Sequence, residues 1–397
     1  MTTLRALTLE EMRAYNTLSS VCFTYTTSTE NLSPKEMSPE KLNEVRGMFD
    51  ENGTLLGAMI QIGMDCRFEG HDCRFLGIGG VVTDPAERRR GAIRQLFEEG
   101  LPRLYHAGFV FSALYPFSHR FYRKFGYELG IVQRNAELSP SSLRSDLYRA
   151  ASIRRLLPEE DGAAMREVYQ KYIEKKNFAV LRHDGHWYSL REGTPWEKLK
   201  YTYVLYDEGG APIAYWVGTM EKGPEGATLS IKDLAYTSRK GLEAIFAMIR
   251  TMNEVGGIKM PVPQDVELRF LVEDPYDIQE NTSCGGMLRV MNVARALALL
   301  PAPAIPGRCT VEVTDGQIPG NNGRFTIIGD GERLSVEKTD EPADLTCTVN
   351  GLSALVAGTL DFAGCADARL VAVQREDQLR FMQMLFCKRQ QHLHNYF

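Results

Sequence analysis

The 397-residue sequence lacks several features that would place it in a special class of protein. It contains no CxxC pair, and its eight cysteines are scattered, so neither a disulfide framework nor a zinc site is expected. No run approaches about 18 apolar residues, so no transmembrane helix is expected. The N-terminus, MTTLRALTLEEMRAYNTLSS, lacks the layout of a signal peptide. A cytoplasmic location is therefore expected.

An excess of basic charge is also missing. The net charge is −5, which argues against a protein that coats nucleic acid. With 44% hydrophobic and 24% charged residues, the composition is that of an ordinary globular protein, and the length suggests two or three domains. Cys387 lies near His392 and His394, but one cysteine with two histidines is a weak signal, and no metal is expected.

The first 150 residues alternate strand-like and helix-like segments in a β–β–α–β–α–β order, which predicts a mixed sheet. The segments are, in order, TLLGAMIQIGM, RFLGIGGVVT, a helix that follows three arginines, FVFSALY, SHRFYRKF and the returning strand GYELGIVQRNAEL. The polar stretch ELSPSSLRSD, residues 137–146, is a candidate linker.

A faint internal repeat follows this linker. The segment LSIKDLAYTSRKGLEAIF echoes LGIGGVVTDPAERRRGAIRQLF, and both run from a strand through basic residues and a glycine into an amphipathic helix. The second copy keeps only two basic residues and has nothing like HRFYRKFGYE after its next predicted strand, VELRFLV. We expect a duplicated scaffold that has lost its ligand site.

The sequence changes character from about residue 286. A predicted helix, MLRVMNVARALALLPA, leads into alternating strands that are joined by turns rich in glycine, asparagine and aspartate. A last predicted helix, REDQLRFMQMLF, precedes the end of the chain.

The candidate site begins at TDPAERRRGAIRQLFEEGL, residues 83–101, where three arginines and a glycine precede an amphipathic helix. The start of a helix carries a partial positive charge, so these cations call for a compensating anion. Glycine lets the backbone approach an anion, and the first amides of the helix can donate to it. From this stretch alone, a bound pyrophosphate and a solvated face that pairs with nearby glutamates are equally good interpretations.

Two motifs in order favour the pyrophosphate. VVTDPAERRRG before a helix, followed by FSALYPFSHRFYRKFGYE, resembles the GCN5-related N-acetyltransferase (GNAT) family, whose acetyl-CoA motif runs through R/Q-x-x-G-x-G/A. Ile93 departs from the small residue usual at the last position of that motif. The whole chain resembles the narrower Eis-like group, which implies an α+β fold with two tandem GNAT domains, the second degenerate, and a domain like a sterol carrier protein. The implied ranges are 1–148, 149–285 and 286–397.

This resemblance implies roles for individual residues. Acetyl-CoA would be held by a strand end, a basic loop with the first helical turn, and two residues after the next strand: Val81, Val82, Thr83, Arg88, Arg89, Arg90, Gly91, Ala92, Ile93, Arg94, Phe117 and Ser118. Tyr122 matches the general acid of the family, with Tyr127 as a rival, and the terminal carboxylate of Phe397 corresponds to the base of the Eis-like group. An α-carboxyl of pKa about 3.5 needs burial or a water relay to accept a proton from an ammonium.

The implied substrate is a primary amine on a small molecule or a lysine side chain. The residues expected around it are mostly aromatic: Phe23, Tyr25, Glu30, Tyr115 and Tyr396. A cleft with so little acidic charge disfavours a polycation such as an aminoglycoside. The resemblance also implies a homo-oligomer, possibly a hexamer. Two alternatives stay open: an apolar-ligand carrier that uses the C-terminal domain beside a non-catalytic CoA site, and an inactive protein that only binds acetyl-CoA.

Overall fold

The computed structural model describes residues 2–26, 38–223 and 226–395. The chain forms two compact units, one built from residues 1–131, 285–389 and 395–397 and the other from residues 132–284 and 390–394. Three mixed or antiparallel sheets with surrounding helices confirm the predicted α+β class. A search of the described helices for one of membrane-spanning length and apolarity found no candidate.

The first 131 residues alternate helices and strands. Their elements are β1 (Thr3–Ala6), α1 (Leu9–Phe23), α2 (Pro39–Glu44), β2 (Val45–Phe49), β3 (Leu55–Phe68), β4 (His71–Thr83), α3 (Ala92–His106), β5 (Phe111–Leu114), α4 (His119–Arg123) and β6 (Glu128–Leu129). The long hairpin of β3 and β4 is the centre of the first sheet.

Residues 132–284 contribute the second sheet, its helices and the short strand β9, which is not part of that sheet. Their elements are β7 (Val132–Leu138), β8 (Ser152–Arg155), α5 (Ala163–Ile173), β9 (Ala179–Val180), α6 (Asp184–Arg191), α7 (Pro195–Lys198), β10 (Lys200–Tyr206), β11 (Pro212–Glu221), β12 (Ala227–Tyr236), α8 (Arg239–Arg250), β13 (Val255–Val262) and β14 (Gln279–Cys284). The order in this sheet is β14-β7-β13-β12-β11-β10-β8.

The remaining residues contribute β15 to the first sheet and build the third sheet. Their elements are β15 (Met287–Val290), α9 (Val293–Ala298), β16 (Pro306–Thr314), β17 (Gly323–Asp330), β18 (Leu334–Thr339), β19 (Leu345–Thr348), α10 (Val349–Ala357), α11 (Phe362–Asp367), β20 (Val371–Val373) and α12 (Leu379–Leu385). The order in the third sheet is β18-β17-β16-β19-β20.

Strand β15 corrects one expectation from the sequence, because the helix predicted from Met287 begins only at Val293. β15 lies between β5 and β6 in the first sheet, whose order is β1-β2-β3-β4-β5-β15-β6. All four of its residues are buried, and the side chain of Asn292 then caps α9 by accepting from the amide of Arg295. A short apolar run of this kind cannot be told from a buried helical segment by its periodicity.

The predicted returning strand GYELGIVQRNAEL is also two strands. β6 belongs to the first sheet, whereas β7 pairs with β13 and β14 in the second sheet. The candidate linker at 137–146 therefore begins inside a strand, and it continues into a 3-10 turn over Pro140–Ser142. Leu143 is fully buried in the core of the second unit, so this stretch is packed structure rather than a linker.

The predicted strand VELRFLV is wrong as well. Residues Leu268–Phe270 form a single 3-10 turn, and the strand after α8 is Val255–Val262. The ranges 1–148, 149–285 and 286–397 stay a prediction. The chain passes from the first sheet to the second between residues 131 and 132, where β7 begins, and returns to the first sheet between residues 284 and 287, where β15 begins.

Candidate active site

The first sheet opens at the end of β4. The parallel ladder between β4 and β5 runs from Phe75–Phe111 to Ile78–Leu114, and β4 then continues alone on that side to Thr83. The β3–β4 register shifts where Ala58 and Ile60 pair with Val82 and Gly79, which is a β-bulge. The edge of β4 beyond Ile78 is thus left uncovered by β5.

Helix α3 begins beside this edge, at a glycine. Gly91 is the N-cap residue with φ +90°, a left-handed conformation that strains any residue with a Cβ. No side chain caps this end of the helix, and a Cβ added at Gly91 would meet nothing within 4 Å. The first amides of α3 consequently face open space, which suits a bound anion.

A cavity of about 720 Å³ joins the strand edge to this helix end. Among the described residues, its lining is Cys22, Phe23, Val81, Thr83, Glu87, Arg88, Arg89, Gly91, Ala92, Ile93, Arg94, Phe117, Phe121, Lys124 and Phe125. Four of these side chains are cationic and one is acidic. The wall is therefore positive near the helix end and aromatic near α4.

Nine of the twelve residues predicted to hold acetyl-CoA line this cavity. The other three have different surroundings. The Val82 side chain is buried in a small core cluster, so only its backbone can serve a ligand at the edge. Arg90 forms an ion pair with Glu87 at 2.6 Å, and the Ser118 hydroxyl caps α4 by accepting from the amide of Phe121.

Five lining residues were not among the predicted site residues: Cys22, Glu87, Phe121, Lys124 and Phe125. Cys22 comes from α1, and its thiol donates to the carbonyl of Thr83 at 3.4 Å. Phe121, Lys124 and Phe125 come from α4 and the turn after it. Their spacing beside Tyr122 in FYRKFGY was a signal that these neighbours share its surroundings, whereas nothing local connected Cys22 to β4.

Tyr122 lies just behind the aromatic wall. It is 2% exposed and makes edge-on ring contacts with Phe117 at 5.3 Å and Phe121 at 5.1 Å, but it is not itself one of the lining residues. Burial raises the pKa of Tyr122, so its hydroxyl keeps its proton at neutral pH. The rival Tyr127 is fully buried and shares a 2.7 Å hydrogen bond with Ser112, and burial raises its pKa to about 12.

Three of the residues expected around the amine are described. Phe23 is the last residue of α1 and Tyr25 lies two positions after it. About half of the surface of each is exposed, and Phe23 lines the cavity. The hydroxyl of Tyr115 donates to the backbone carbonyl of Asn395 at 3.0 Å. Glu30, Tyr396 and Phe397 lie outside the described residues.

Comparisons with known proteins agree with this geometry. Two family models for an acetyltransferase (GNAT) domain match residues 3–130 and 179–290, and a model for a sterol carrier protein domain matches residues 293–394. N-acetyltransferase Eis of Mycobacterium tuberculosis is 24% identical over 324 residues, which cover 78% of this chain and 77% of that protein. An uncharacterized N-acetyltransferase of Streptomyces coelicolor is 24% identical over 314 residues, covering 73% of this chain and 72% of its own length. The chain belongs to the Eis-like GNAT N-acetyltransferases.

Solved structures show the same fold as this Eis-like acetyltransferase. Eis1 of Mycobacterium abscessus superposes with a TM-score of 0.84 at 19% identity, and a GCN5-related N-acetyltransferase of Anabaena variabilis with 0.88 at 19% identity. Each comparison covers 100% of both chains. The GNAT fold implies acetyl-CoA as the acyl donor, and the described site fits it. The open space above Gly91 and the cationic lining suit a diphosphate, while the edge of β4 suits an extended pantetheine arm.

The corresponding helix of the second GNAT-like unit starts differently. Gly241 matches Gly91 in the repeat, but the amide of Gly241 donates to the hydroxyl of Ser238, the N-cap residue of α8. A Cβ at Gly241 would collide with the carbonyl of Ile213. This helix start is occupied by its own chain, which agrees with the predicted loss of a ligand site.

Proposed function

We propose that this Eis-like acetyltransferase transfers the acetyl group of acetyl-CoA to a primary amine by direct attack, with both substrates bound at once. The proposal depends chiefly on the single cavity that runs from the amides and arginines at Gly91 to the uncovered edge of β4 and the aromatic wall at Phe117. When bound, acetyl-CoA supplies an activated thioester. The protein residues then hold the reactants, exclude water, and accept and donate the protons of the reaction.

Tyr122 is the proposed general acid, as its match to the family motif implies. A protonated hydroxyl beside the cavity can give its proton to a departing thiolate. Burial raises the pKa of Tyr122, so the hydroxyl still carries its proton when the thiolate departs. Its edge-on packing against Phe117 and Phe121 fixes the ring direction.

The terminal carboxylate of Phe397 is the proposed base, again by resemblance to the Eis-like group. The hydrogen bond from Tyr115 to the carbonyl of Asn395 supports this, because it holds the chain two residues before Phe397 against a residue that directly follows β5. A polypeptide spans at most about 3.5 Å per residue, so two further residues reach no more than about 7 Å beyond this contact.

Replacement of Tyr122 by phenylalanine tests the acid. We expect turnover to fall about 10²-fold while the affinity for CoA changes little, since the ring stays in place. Tyr127→Phe is the matched control, because it removes the other buried hydroxyl of the same motif and should keep turnover within about twofold. Unchanged turnover in Tyr122→Phe, or a large loss confined to Tyr127→Phe, would reject the assignment.

Extension of the chain by three glycines after Phe397 tests the base. The extended protein should keep its melting temperature and its CoA affinity but lose most of its turnover, because the carboxylate moves away from its site. The same three residues added at the N-terminus are the control. Full activity of the C-terminally extended protein would remove this carboxylate from the mechanism.

The acceptor is proposed to be a primary amine that is only partly cationic, because Phe23 and Tyr25 supply aromatic surface rather than acidic charge. A panel of amines and lysine peptides, read by thiol release, would identify it. Titration with CoA and with a fatty-acyl probe separates this function from the alternative of apolar-ligand carriage, and thiol release also separates it from the inactive alternative. The homo-oligomeric state, possibly a hexamer, stays a prediction for light scattering.

A further inference from the structure

Helix α4, which carries Tyr122, is too short to hold itself in place. It has five residues, His119–Arg123, and turns at once into the loop that returns to β6. An isolated helix needs about 12 residues to be even marginally stable in water. Its last carbonyls, like those of any helix, also need donors from elsewhere. The position of Tyr122 must therefore be stabilised by other parts of the chain.

One side chain of the C-terminal region supplies two of these donors. The side-chain amide of Asn350, in the first turn of α10, donates to the carbonyl of Arg123 at 3.0 Å and to the carbonyl of Tyr127 at 2.9 Å. Asn350 thus spans the whole turn that follows Tyr122. Few residue types could do this, because the task needs two N–H donors on one planar group.

Two of the three carbonyls between these also accept hydrogen bonds from side chains distant in sequence. Arg289, on β15, donates to the carbonyl of Phe125 at 2.6 Å, and Gln317 donates to the carbonyl of Lys124 at 3.5 Å. Arg289 is fully buried and is paired with Asp315, because one of its guanidinium nitrogens donates to both carboxylate oxygens, at 2.7 and 2.9 Å. A charge this deeply buried tolerates little displacement, so Arg289 is a stiff support.

Gly126 shows how closely the support fits. Its φ is +83°, and an added Cβ would collide with the guanidinium of Arg289 and approach Val349. The glycine of the FYRKFGY motif is thus required by both its backbone conformation and the arginine beneath it. The opposite side of the turn is held by Arg123, which forms a bidentate pair with the buried Glu128.

We infer that Arg289, Gln317 and Asn350, named here the carbonyl clamp, are positioning residues that hold Tyr122 for proton transfer. Gln317 and Asn350 lie in the sterol-carrier-like region, which then serves the acetyltransferase site as part of its scaffold. This inference rests on the proposed acid role of Tyr122. The hydrogen bonds that the clamp donates to this turn all go to backbone carbonyls of residues 123–127, so it acts through the placement of α4.

Asn350→Asp is the sharpest test. The substitution keeps the size of the side chain, removes both N–H donors and places a carboxylate in the first turn of α10, where the helix dipole favours it. The fold of the variant should therefore survive. We expect kcat to fall about tenfold, and the alkaline limb of the kcat profile to move to lower pH as Tyr122 gains access to water. Asn350→Ala is the second variant should the carboxylate disturb the loop.

A double-mutant cycle shows whether the effect passes through Tyr122. In the Tyr122→Phe background, Asn350→Asp should lower kcat by less than about twofold, because there is no acid left to misplace. Ile327→Val is the control, since it trims a buried residue of β17 outside the clamp and should lower stability without changing kcat.

Two results would overturn the inference. One is an unchanged kcat and pH profile in both Asn350 variants, provided that the melting curve of each variant shows it to be folded. The other is an equal fold-loss in the parent and in the Tyr122→Phe background, which would make Asn350 a general structural residue. A fully active Tyr122→Phe protein, in contrast, would reject the acid assignment itself. The activity of Tyr122→Phe is therefore measured before any Asn350 variant is made.

Discussion

The hydroxyl of Tyr115 donates a 3.0 Å hydrogen bond to the backbone carbonyl of Asn395. Tyr115 directly follows β5, at the point where the first sheet opens, and Asn395 is two residues from the end of the sequence. The contact joins residues 280 positions apart. This hydrogen bond would hold the proposed base in place, and its removal should be measurable as a loss of turnover.

Tyr115→Phe should therefore lower kcat about fivefold, which corresponds to the roughly 1 kcal/mol of a single hydrogen bond. The ring remains, so KM for the amine should stay within about twofold. Steady-state kinetics of thiol release check this, with Tyr188→Phe as the control because that tyrosine is exposed on α6. An unchanged kcat would show that the anchor does not serve the reaction.

Gly91→Ala should weaken CoA binding about tenfold. A residue with a Cβ is strained at φ +90° and would place a methyl group in the space proposed for the phosphates. Gly53→Ala is a close control, since Gly53 has φ +80° and also has open space around its Cβ position. Calorimetric titration with CoA should separate the two variants, although both lose similar stability. Equal CoA affinities in the two would contradict the phosphate site.

Asp233→Ala should destabilise the second unit by about 3–5 kcal/mol. The carboxylate of Asp233 accepts hydrogen bonds from both terminal nitrogens of Arg182, at 2.7 and 2.9 Å. The side chain of Arg182 is 5% exposed and that of Asp233 is 3% exposed. Removal of the carboxylate leaves a buried guanidinium without its counter-charge. Urea unfolding measures the loss. The control is Glu167→Ala, which breaks an exposed pair with Lys171 and should cost less than about 0.5 kcal/mol.

Stability should also fall as the pH is lowered, through two histidines of the second unit. Burial holds the pKa of His392 well below its ordinary value and lowers that of His394 to about 4, with Arg182 and Lys176 nearby adding to the effect. Both are neutral when folded, so their contribution is complete above about pH 6.5. It should decline by roughly 2 kcal/mol per histidine towards pH 5, as the unfolded chain takes up protons.

Urea unfolding from pH 8 to pH 5 measures this decline. His392→Phe should flatten the pH dependence, because it removes the most buried titrating ring of this segment. His71→Gln, at an exposed position, should leave the slope as it is. An identical slope in the parent and in His392→Phe would contradict the assignment.

Local motifs explain why much of the site could be predicted. Gly91, the arginines before it and the periodic apolar residues of α3 are within one stretch of about 20 residues, and each has a direct structural consequence. Local motifs could not predict that Cys22 bonds to the end of β4, or that Arg90 pairs with Glu87 instead of lining the cavity. Those depend on which surfaces meet after folding.

The sequence by itself determined the mixed α+β class and the glycine and basic residues at the start of α3, because these are properties of local pattern and composition. The order of the GNAT-like and sterol-carrier-like regions followed from the resemblance of its motifs to the Eis-like group. Only the tertiary structure decided that β7 and β15 change sheets, and that Asn350 and Arg289 hold the carbonyls after Tyr122. Strand pairing and side-chain bonds between residues more than 160 positions apart are selected by burial and by the need to satisfy every buried carbonyl. Such long-range pairings leave no mark on the local periodicity of the chain.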